Sequence, residues 1–263
     1  MRALIDGDIL CYSIGSAKDE DTGEPLSWPL TLARLDGFIH KIVREVGATE
    51  YTVYLTGKGN FRKEEATIKP YKGNRNADKP HHYKNIRDYF KGTKNHDVVW
   101  AEGYEADDAM SIEQWDDLNW AWKDGDSPDA CGTIICSLDK DLDMVPGMHY
   151  KWSRDGKEGK KYFVSEMEGL HSFYKQLLMG DPTDNIPGLY NIGPSKADRL
   201  LAGIKSELDM YEVVKGKYQD YFGSYWRMFM HENARLLWML REEEDDIRVR
   251  LDDEEKLIGN TEF

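Results

Sequence analysis

Short apolar runs alternate with helical patterns through the first 165 residues, and three of the runs end in carboxylates. Arg2–Asp6 (RALID), Tyr51–Leu55 (YTVYL), Val98–Trp100, Thr133–Ser137 (TIICS) and Met148–Trp152 predict strands. Leu30–Val46, His82–Phe90 and Glu105–Trp122 carry apolar residues at helical spacing and predict helices between them. Strands separated by helices pair in parallel, because each connection must cross back over the sheet. The expected fold class is therefore α/β, a mostly parallel sheet flanked by helices. From Ser165 onward the pattern is mostly helical, with turn signals at Asn185–Pro187 and Gly193-Pro194. This predicts a domain over 1–165 and a helical region over 166–263 packed on the sheet.

Composition narrows the class. A 40% hydrophobic chain with 8 Trp, 15 Tyr and 8 Phe is built to pack a core rather than stay disordered. No stretch approaches the ~20 apolar residues of a membrane helix, so no membrane partner is expected. The first residues carry no apolar leader region, and three cysteines without metal-ligand spacing fit a reducing compartment; a cytoplasmic location is expected. The net charge of -14 argues against nucleic acid when taken as an average. The average misleads. Residues 58–96 hold eleven Lys or Arg against four acids, one basic block on an acidic body.

Ligand sites of open α/β sheets lie beyond the carboxyl ends of the strands. Asp6 and Asp8 end the first strand. They stand two residues apart and so on one face of an extended chain. Glu105, Asp107 and Asp108 follow the third strand, and Asp139, Asp141 and Asp143 the fourth. Asp181 and Asp184 lie in the helical region, in MGDPTDN. Converging carboxylates repel one another and resist desolvation unless a cation sits among them. Oxygen donors without His or Cys suit Mg²⁺, with Mn²⁺ able to replace it. Two such ions clamp a phosphodiester in an in-line displacement.

Blander readings apply to single features. Acids make up 49 of 263 residues, so pairs arise by chance. Glu242–Asp246 and Asp252–Glu255 follow no strand and read as solvated helix and tail. Gly188 to Ala197 (GLYNIGPSKA) places glycines before a helix start, where free N–H groups and Lys196 suit a phosphate, but a Gly-Pro pair alone is commonly an ordinary turn.

Taken in order, the clusters resemble the 5′ nuclease family, which includes flap endonucleases, the 5′ nuclease domain of bacterial DNA polymerase I and free-standing bacteriophage 5′→3′ exonucleases. The most specific stretch is Met179–Leu201 (MGDPTDNIPGLYNIGPSKADRLL); GYEADD (Gly103–Asp108), SLDKDLD (Ser137–Asp143) and Tyr71-Lys72-Gly73-Asn74-Arg75 match in order. The resemblance covers residues 1 to about 201. It implies a PIN-like fold, a helical arch over about 58–96 and a helix–hairpin–helix at about 183–202. It implies Asp6, Asp107 and Glu105 as ligands of a first metal, and Asp139, Asp141, Asp181 and Asp184 as ligands of a second. Glu105 or Asp107 is shared, and Asp108 is adjacent. Lys72 and Arg75 look like the basic pair at the scissile phosphate. Arg62, Lys69, Gly188, Ile192, Gly193, Ser195 and Lys196 look like DNA contacts, with a possible K⁺ at the hairpin. Tyr83, Tyr89 and Phe90 either stack bases or pack beneath the arch. The implied partners are DNA with 5′ ends, flaps or duplex–single-strand junctions, and replication proteins. A monomer in the host cytoplasm of a phage is the expected state.

One departure stands out. The family has an Asp just after the second strand, and here that region reads Tyr54-Leu55-Thr56-Gly57-Lys58. Either Asp8 supplies the missing charge, or the first metal is weakly held and the chain is a catalytically weakened, structure-specific DNA-binding protein. Two other classes compete: phosphatases with an aspartyl nucleophile, through Asp6-Gly-Asp8, and ribonucleases of the PIN fold. Neither calls for both the basic block and the Gly-Pro hairpin.

Overall fold

The structure is a computed structural model that describes residues 1–75, 78–121, 131–153 and 158–258. It divides into two compact units. The first comprises Met1–Gly59, Ala77–Lys140 and Gly147–Phe163; the second comprises Asn60–Asn76, Asp141–Pro146 and Val164–Phe263. A single cut of the chain at 165 does not describe this division, because two earlier segments join the second unit.

The first unit is built on a six-stranded sheet, β1 (Arg2–Asp6), β2 (Glu50–Thr56), β3 (Val98–Ala101), β4 (Thr133–Cys136), β5 (Gly147–Lys151) and β6 (Lys160–Val164), in the order β3-β2-β1-β4-β5-β6. The pairs β1–β2, β2–β3, β1–β4 and β4–β5 are parallel. Strand order runs outward from β1 in both directions, so the chain reverses its winding between β1 and β4. That switch point opens a crevice at the carboxyl ends of those two strands.

Side chains alternate across the sheet. Ala3, Ile5, Val53, Leu55, Ile134 and Cys136 point to one face and pack with α1 (Gly7–Gly15), α2 (Trp28–Val46) and a helix over Tyr83–Gly92. Pro29 in its first turn and a left-handed Gly47 (φ 72°) at its end bound α2. The opposite face receives a helix over Ala106–Ala121, whose Glu113 accepts from the Tyr54 hydroxyl. Trp122, the expected last residue of that helix, lies outside the described residues.

In the second unit, α3 (Phe61–Glu65) packs with a helix over Trp226–Leu237. In chain order the helices are α4 (Tyr83–Gly92) and α5 (Ala106–Ala121) in the first unit. The second unit continues with α6 (Glu166–Met179), α7 (Pro194–Leu201), α8 (Glu207–Phe222), α9 (Trp226–Leu237), α10 (Ile247–Leu251) and α11 (Glu254–Ile258). A Ser165–Glu168 capping box starts α6. Leu170, Phe173, Leu177, Val214, Met230, Ala234 and Trp238 are buried in this unit. Its core also encloses charge: Arg241 meets Glu166 at 2.7 and 3.0 Å, and Arg250 pairs with Glu207. Removing one member of such a pair leaves the other as an uncompensated buried charge.

Three expectations change. Asp8 is not on an extended strand: β1 stops at Asp6, which caps α1, and Asp8 lies in the first turn of that helix. The basic block forms no single element, since residues 60–76 belong to the second unit while Ile86 and Phe90 of α4 are buried in the core of the first, with Tyr83 and Tyr89 packed beside them. Glu242–Glu244 are exposed as expected, but Asp245 accepts from Trp238 Nε1 at 2.7 Å and Asp246 caps α10. Part of the acidic stretch is therefore structural.

Candidate functional site

Asp6 sits where β1 gives way to α1 and is 2% exposed. Its Oδ1 accepts from the Ile9 amide at 3.0 Å and its Oδ2 from the Ser137 hydroxyl at 2.7 Å. Ser137, directly after β4, also accepts from the Asp139 amide at 2.9 Å. One hydroxyl thus ties the ends of the two central strands, orienting the Asp6 carboxylate and holding the main chain of Asp139. Burial pushes the Asp6 carboxyl up to about 7, and the charges of Asp8 and Asp139 push in the same direction. An acid held this way is short of positive charge, and a cation among these groups would restore it to the ionised form.

The position of the expected extra acid is explained by its surroundings. A side chain at Gly57 would lie 2.6 Å from the Ala101 carbonyl oxygen, so only glycine fits there. The preceding residue, Thr56, ends β2, and its hydroxyl accepts from the Ala106 amide at 3.0 Å, capping α5. Asp8 reaches this corner from α1: its Oδ2 accepts from the Thr56 amide at 3.0 Å, and its Oδ1 meets Arg87 Nη1 at 2.7 Å. Arg87 also donates to the Thr56 carbonyl.

The three acids at the start of α5 divide by role. Asp108 is fully buried and accepts from the Glu105 amide at 3.0 Å, so it caps the helix. Asp107 and Glu105 are half-buried. Negative charge is favoured at a helix N-terminus, which holds these acids without requiring a metal.

The second unit carries the other acids. Asp141 opens a 3₁₀ turn over Asp141–Met144 and accepts from Gln176 of α6. Asp181 is buried in β7 (Gly180–Asp181), which pairs antiparallel with β8 (Ile186–Pro187), and it accepts from the Thr183 amide at 2.7 Å. Asp184 is a hub: the Tyr71 hydroxyl donates to it at 2.7 Å, Lys72 Nζ stands 3.6 Å away, and Arg75 pairs with it. Lys72 adopts a left-handed backbone (φ 55°), held by its amide donating to the Asp184 carbonyl at 2.8 Å. The expected basic pair is therefore mounted on one of the expected acids.

Of the expected DNA contacts, Lys69, Gly193, Ser195 and Lys196 are exposed, with Ile192 half-buried. Gly193 caps α7, Pro194 is its first residue, and Lys196 Nζ lies 3.4 Å from the Asn191 carbonyl. Gly188 is a packing position: a Cβ there would lie 2.1 Å from the Met179 carbonyl. Arg62 differs from expectation. It is 1% exposed, and its guanidinium donates to the Leu236 carbonyl at 2.9 Å and the Trp238 carbonyl at 2.7 Å, so it builds the unit rather than meeting a ligand.

Ser137, Arg87, Tyr71 and Gln176 do not stand out in the sequence as site residues. Ser137 carries a usable signal, its place at a strand end directly before the acidic motif. Tyr71 stands in the matching Tyr71–Arg75 stretch without a role of its own, and Arg87 and Gln176 are ordinary helix residues until their partners are known. Among the described residues, no three His, Cys, Asp or Glu side chains form a ready metal cage. The donor chemistry still fits a hard divalent cation: oxygen donors, one of them buried and starved of positive charge.

No family model matches the sequence, and no curated protein matches it. Solved structures do match. A bacteriophage T5 5′-exonuclease with bound divalent metal ions (zinc) superposes with a TM-score of 0.62 at 18% identity, over 98% of this chain and 96% of that one. A bacteriophage T5 flap endonuclease in a pseudo-enzyme–product complex with DNA and metal ions gives 0.61 at 16%, over 95% and 90%. This is the 5′ nuclease fold. The catalytic core of Rad2 in complex with DNA substrate shares it more distantly, with a TM-score of 0.50 at 15% identity, over 97% and 73%. In the 5′ nuclease fold of this chain, no described helix is long and apolar enough to cross a membrane.

Proposed function

We propose that this protein is a divalent-metal-dependent 5′ nuclease, a 5′→3′ exonuclease or flap endonuclease that hydrolyses DNA phosphodiesters near 5′ ends in phage-type replication, repair or recombination. The observation that carries the reading is the buried Asp6 carboxyl at the switch point of the sheet, joined to Asp139 through Ser137 and pushed up to about 7. Its fold is shared with a T5 enzyme that binds divalent metal ions and a T5 complex that contains DNA.

Asp6, Asp139, Glu105 and Asp107 would hold Mg²⁺ or Mn²⁺ in the first unit, and Asp141 and Asp181 would serve the second unit in the same way. A divalent cation supplies Lewis acidity, making hydroxide available near neutral pH and stabilising a leaving oxygen. The chain's own part is orientation and charge. Ser137 aims Asp6, and the Asp184 hub holds Lys72 and Arg75 ready to neutralise the phosphoryl oxygens. The exposed Gly193, Ser195 and Lys196 at the start of α7 suit a DNA backbone phosphate, with K⁺ a candidate beside them. The protein would act as a monomer in the host cytoplasm, with replication proteins as further partners.

One observation favours a second reading. Thr56 and Gly57 stand where the resemblance expects an acid, and Arg87 already pairs with Asp8, which suits a DNA-binding protein with weakened chemistry. A cleavage assay separates the two. The purified chain is incubated with 3′-labelled 5′-flap, blunt-duplex and single-stranded DNA in Mg²⁺, Mn²⁺ or EDTA, with Asp139→Asn as control. Metal-dependent shortening from the 5′ side, absent in the variant, supports the nuclease. Binding without cutting supports the weakened protein.

A further inference from the structure

Arg87 is the cation of the basic block that reaches the strand ends of the first unit through Asp8. It leaves α4 and enters the corner between the ends of β1 and β2. Its Nη1 meets Asp8 Oδ1 at 2.7 Å, and Nη2 donates to the Thr56 carbonyl. The guanidinium lies over the Trp100 ring at 4.8 Å and the Tyr83 ring at 5.6 Å. Its side chain is only 18% exposed, and Asp8 is 27% exposed. Two rings and two oxygens fix the cation in place. The second Asp8 oxygen takes the Thr56 amide at 3.0 Å, so both oxygens of Asp8 are engaged by this chain.

The pairing bears on the departure at Thr56–Gly57. Neither Thr56 nor Gly57 brings the carboxylate that the resemblance implies here, and Asp8 brings a carboxylate that already has a cation. We infer that Arg87 is a built-in counter-ion for Asp8, which removes Asp8 from the metal-binding set and leaves the first unit to hold its divalent ion on Asp6, Asp139 and the acids at the start of α5. Arg87 is a positioning residue: it acts through Asp8 and the Thr56 corner. A guanidinium is suited to this because it stays charged at every working pH and its fork spans a carboxylate and a carbonyl together. The inference rests on the metal-dependent reading above.

The test is Mn²⁺ binding to the full chain, counted as free Mn²⁺ by electron paramagnetic resonance, so no turnover is needed. Removing both members of the pair is neutral in charge. In Asp8→Asn/Arg87→Met, the number of bound Mn²⁺ stays that of the wild type and the affinity stays within about threefold. In Arg87→Met alone, Asp8 is freed, and Mn²⁺ binds at least tenfold tighter or with one further ion. Loss of one Mn²⁺ in the double variant makes Asp8 a ligand and overturns the inference. An unchanged isotherm in Arg87→Met overturns it as well. Arg87→Lys, which keeps the charge, stays near wild type and shows that the corner still folds; a thermal melt of each variant checks the same. Asp139→Asn reports on the underlying reading: if it binds Mn²⁺ like the wild type, the metal-dependent function fails whatever the Arg87 variants do.

Discussion

The Ser137 hydroxyl donates to Asp6 at 2.7 Å while accepting from the Asp139 amide at 2.9 Å, so a neutral side chain sets the spacing between two acids at the ends of β1 and β4. Partners of this kind around metal ligands are worth roughly 10- to 100-fold in metal affinity or activity. Under the proposed function, with Asp6 and Asp139 as metal ligands, Ser137→Ala lowers turnover and raises the Mg²⁺ concentration needed for half-maximal rate, with DNA affinity in EDTA unchanged. A Mg²⁺ titration of cleavage, beside a binding isotherm in EDTA, checks it. An unchanged Mg²⁺ requirement removes Ser137 from the site.

Asp6 makes the metal-free protein pH-sensitive. Its folded carboxyl is raised to about 7 from an ordinary value of 3.8, chiefly by burial. Below 3.8 both states hold the proton and no stability is forfeited. Between these values the unfolded chain gives up its proton and the folded one keeps it, so stability falls as pH rises, and the fall is complete above about 7. Asp6→Asn never ionises and escapes this penalty. In EDTA the variant melts higher than wild type, by a gap that widens from about pH 5 to about pH 8, and Mg²⁺ narrows the gap by stabilising only the wild type. Melting curves at the two pH values, with and without Mg²⁺, decide it.

How much of this is legible in the sequence follows from what kind of signal each residue gives. Five strands of the six-stranded sheet are readable as short apolar runs between turn signals, while β6, which opens on two lysines, gives no such run; the acids of the first unit are readable because they follow those runs. Asp8 is misplaced by the sequence pattern, which does not show that Asp6 caps a helix whose first turn carries Asp8. Arg62 looks like part of a phosphate-binding block, yet its partners are carbonyls of residues 236 and 238, more than 170 positions away. Arg87 sits in the same block and finds an acid 79 positions away. Charge counting reads a cation's presence but not its partner, which long-range packing decides.

Asp184 separates a structural acid from a metal ligand. It holds Tyr71, Lys72 and Arg75. Asp184→Ala leaves a buried tyrosine hydroxyl without this acceptor and two cations without this counter-charge, a destabilisation of about 2–4 kcal/mol by the usual cost of breaking such networks. Because the cost lies within the protein, urea unfolding gives the same drop in EDTA and in Mg²⁺. A drop seen only in Mg²⁺ would make Asp184 a ligand first.

Arg62 supplies the matching test on the basic side. Its guanidinium satisfies two buried carbonyls at the end of α9 while its stem is enclosed. Arg62→Met keeps much of the apolar volume and removes every donor, so both carbonyls are deprived of this partner in a site that water does not reach. The expected cost is about 2–4 kcal/mol in urea unfolding. Lys69→Ala, an exposed neighbour in the same block, leaves stability within about 0.5 kcal/mol. DNA binding reverses the order: counter-ion release makes the slope of log affinity against log salt shrink by about one unit for each phosphate that is no longer neutralised. Lys69→Ala reduces that slope, and Arg62→Met, measured well below its melting temperature, does not. If Arg62→Met flattened the salt dependence while unfolding like wild type, the buried guanidinium would have to be reassigned to the DNA surface.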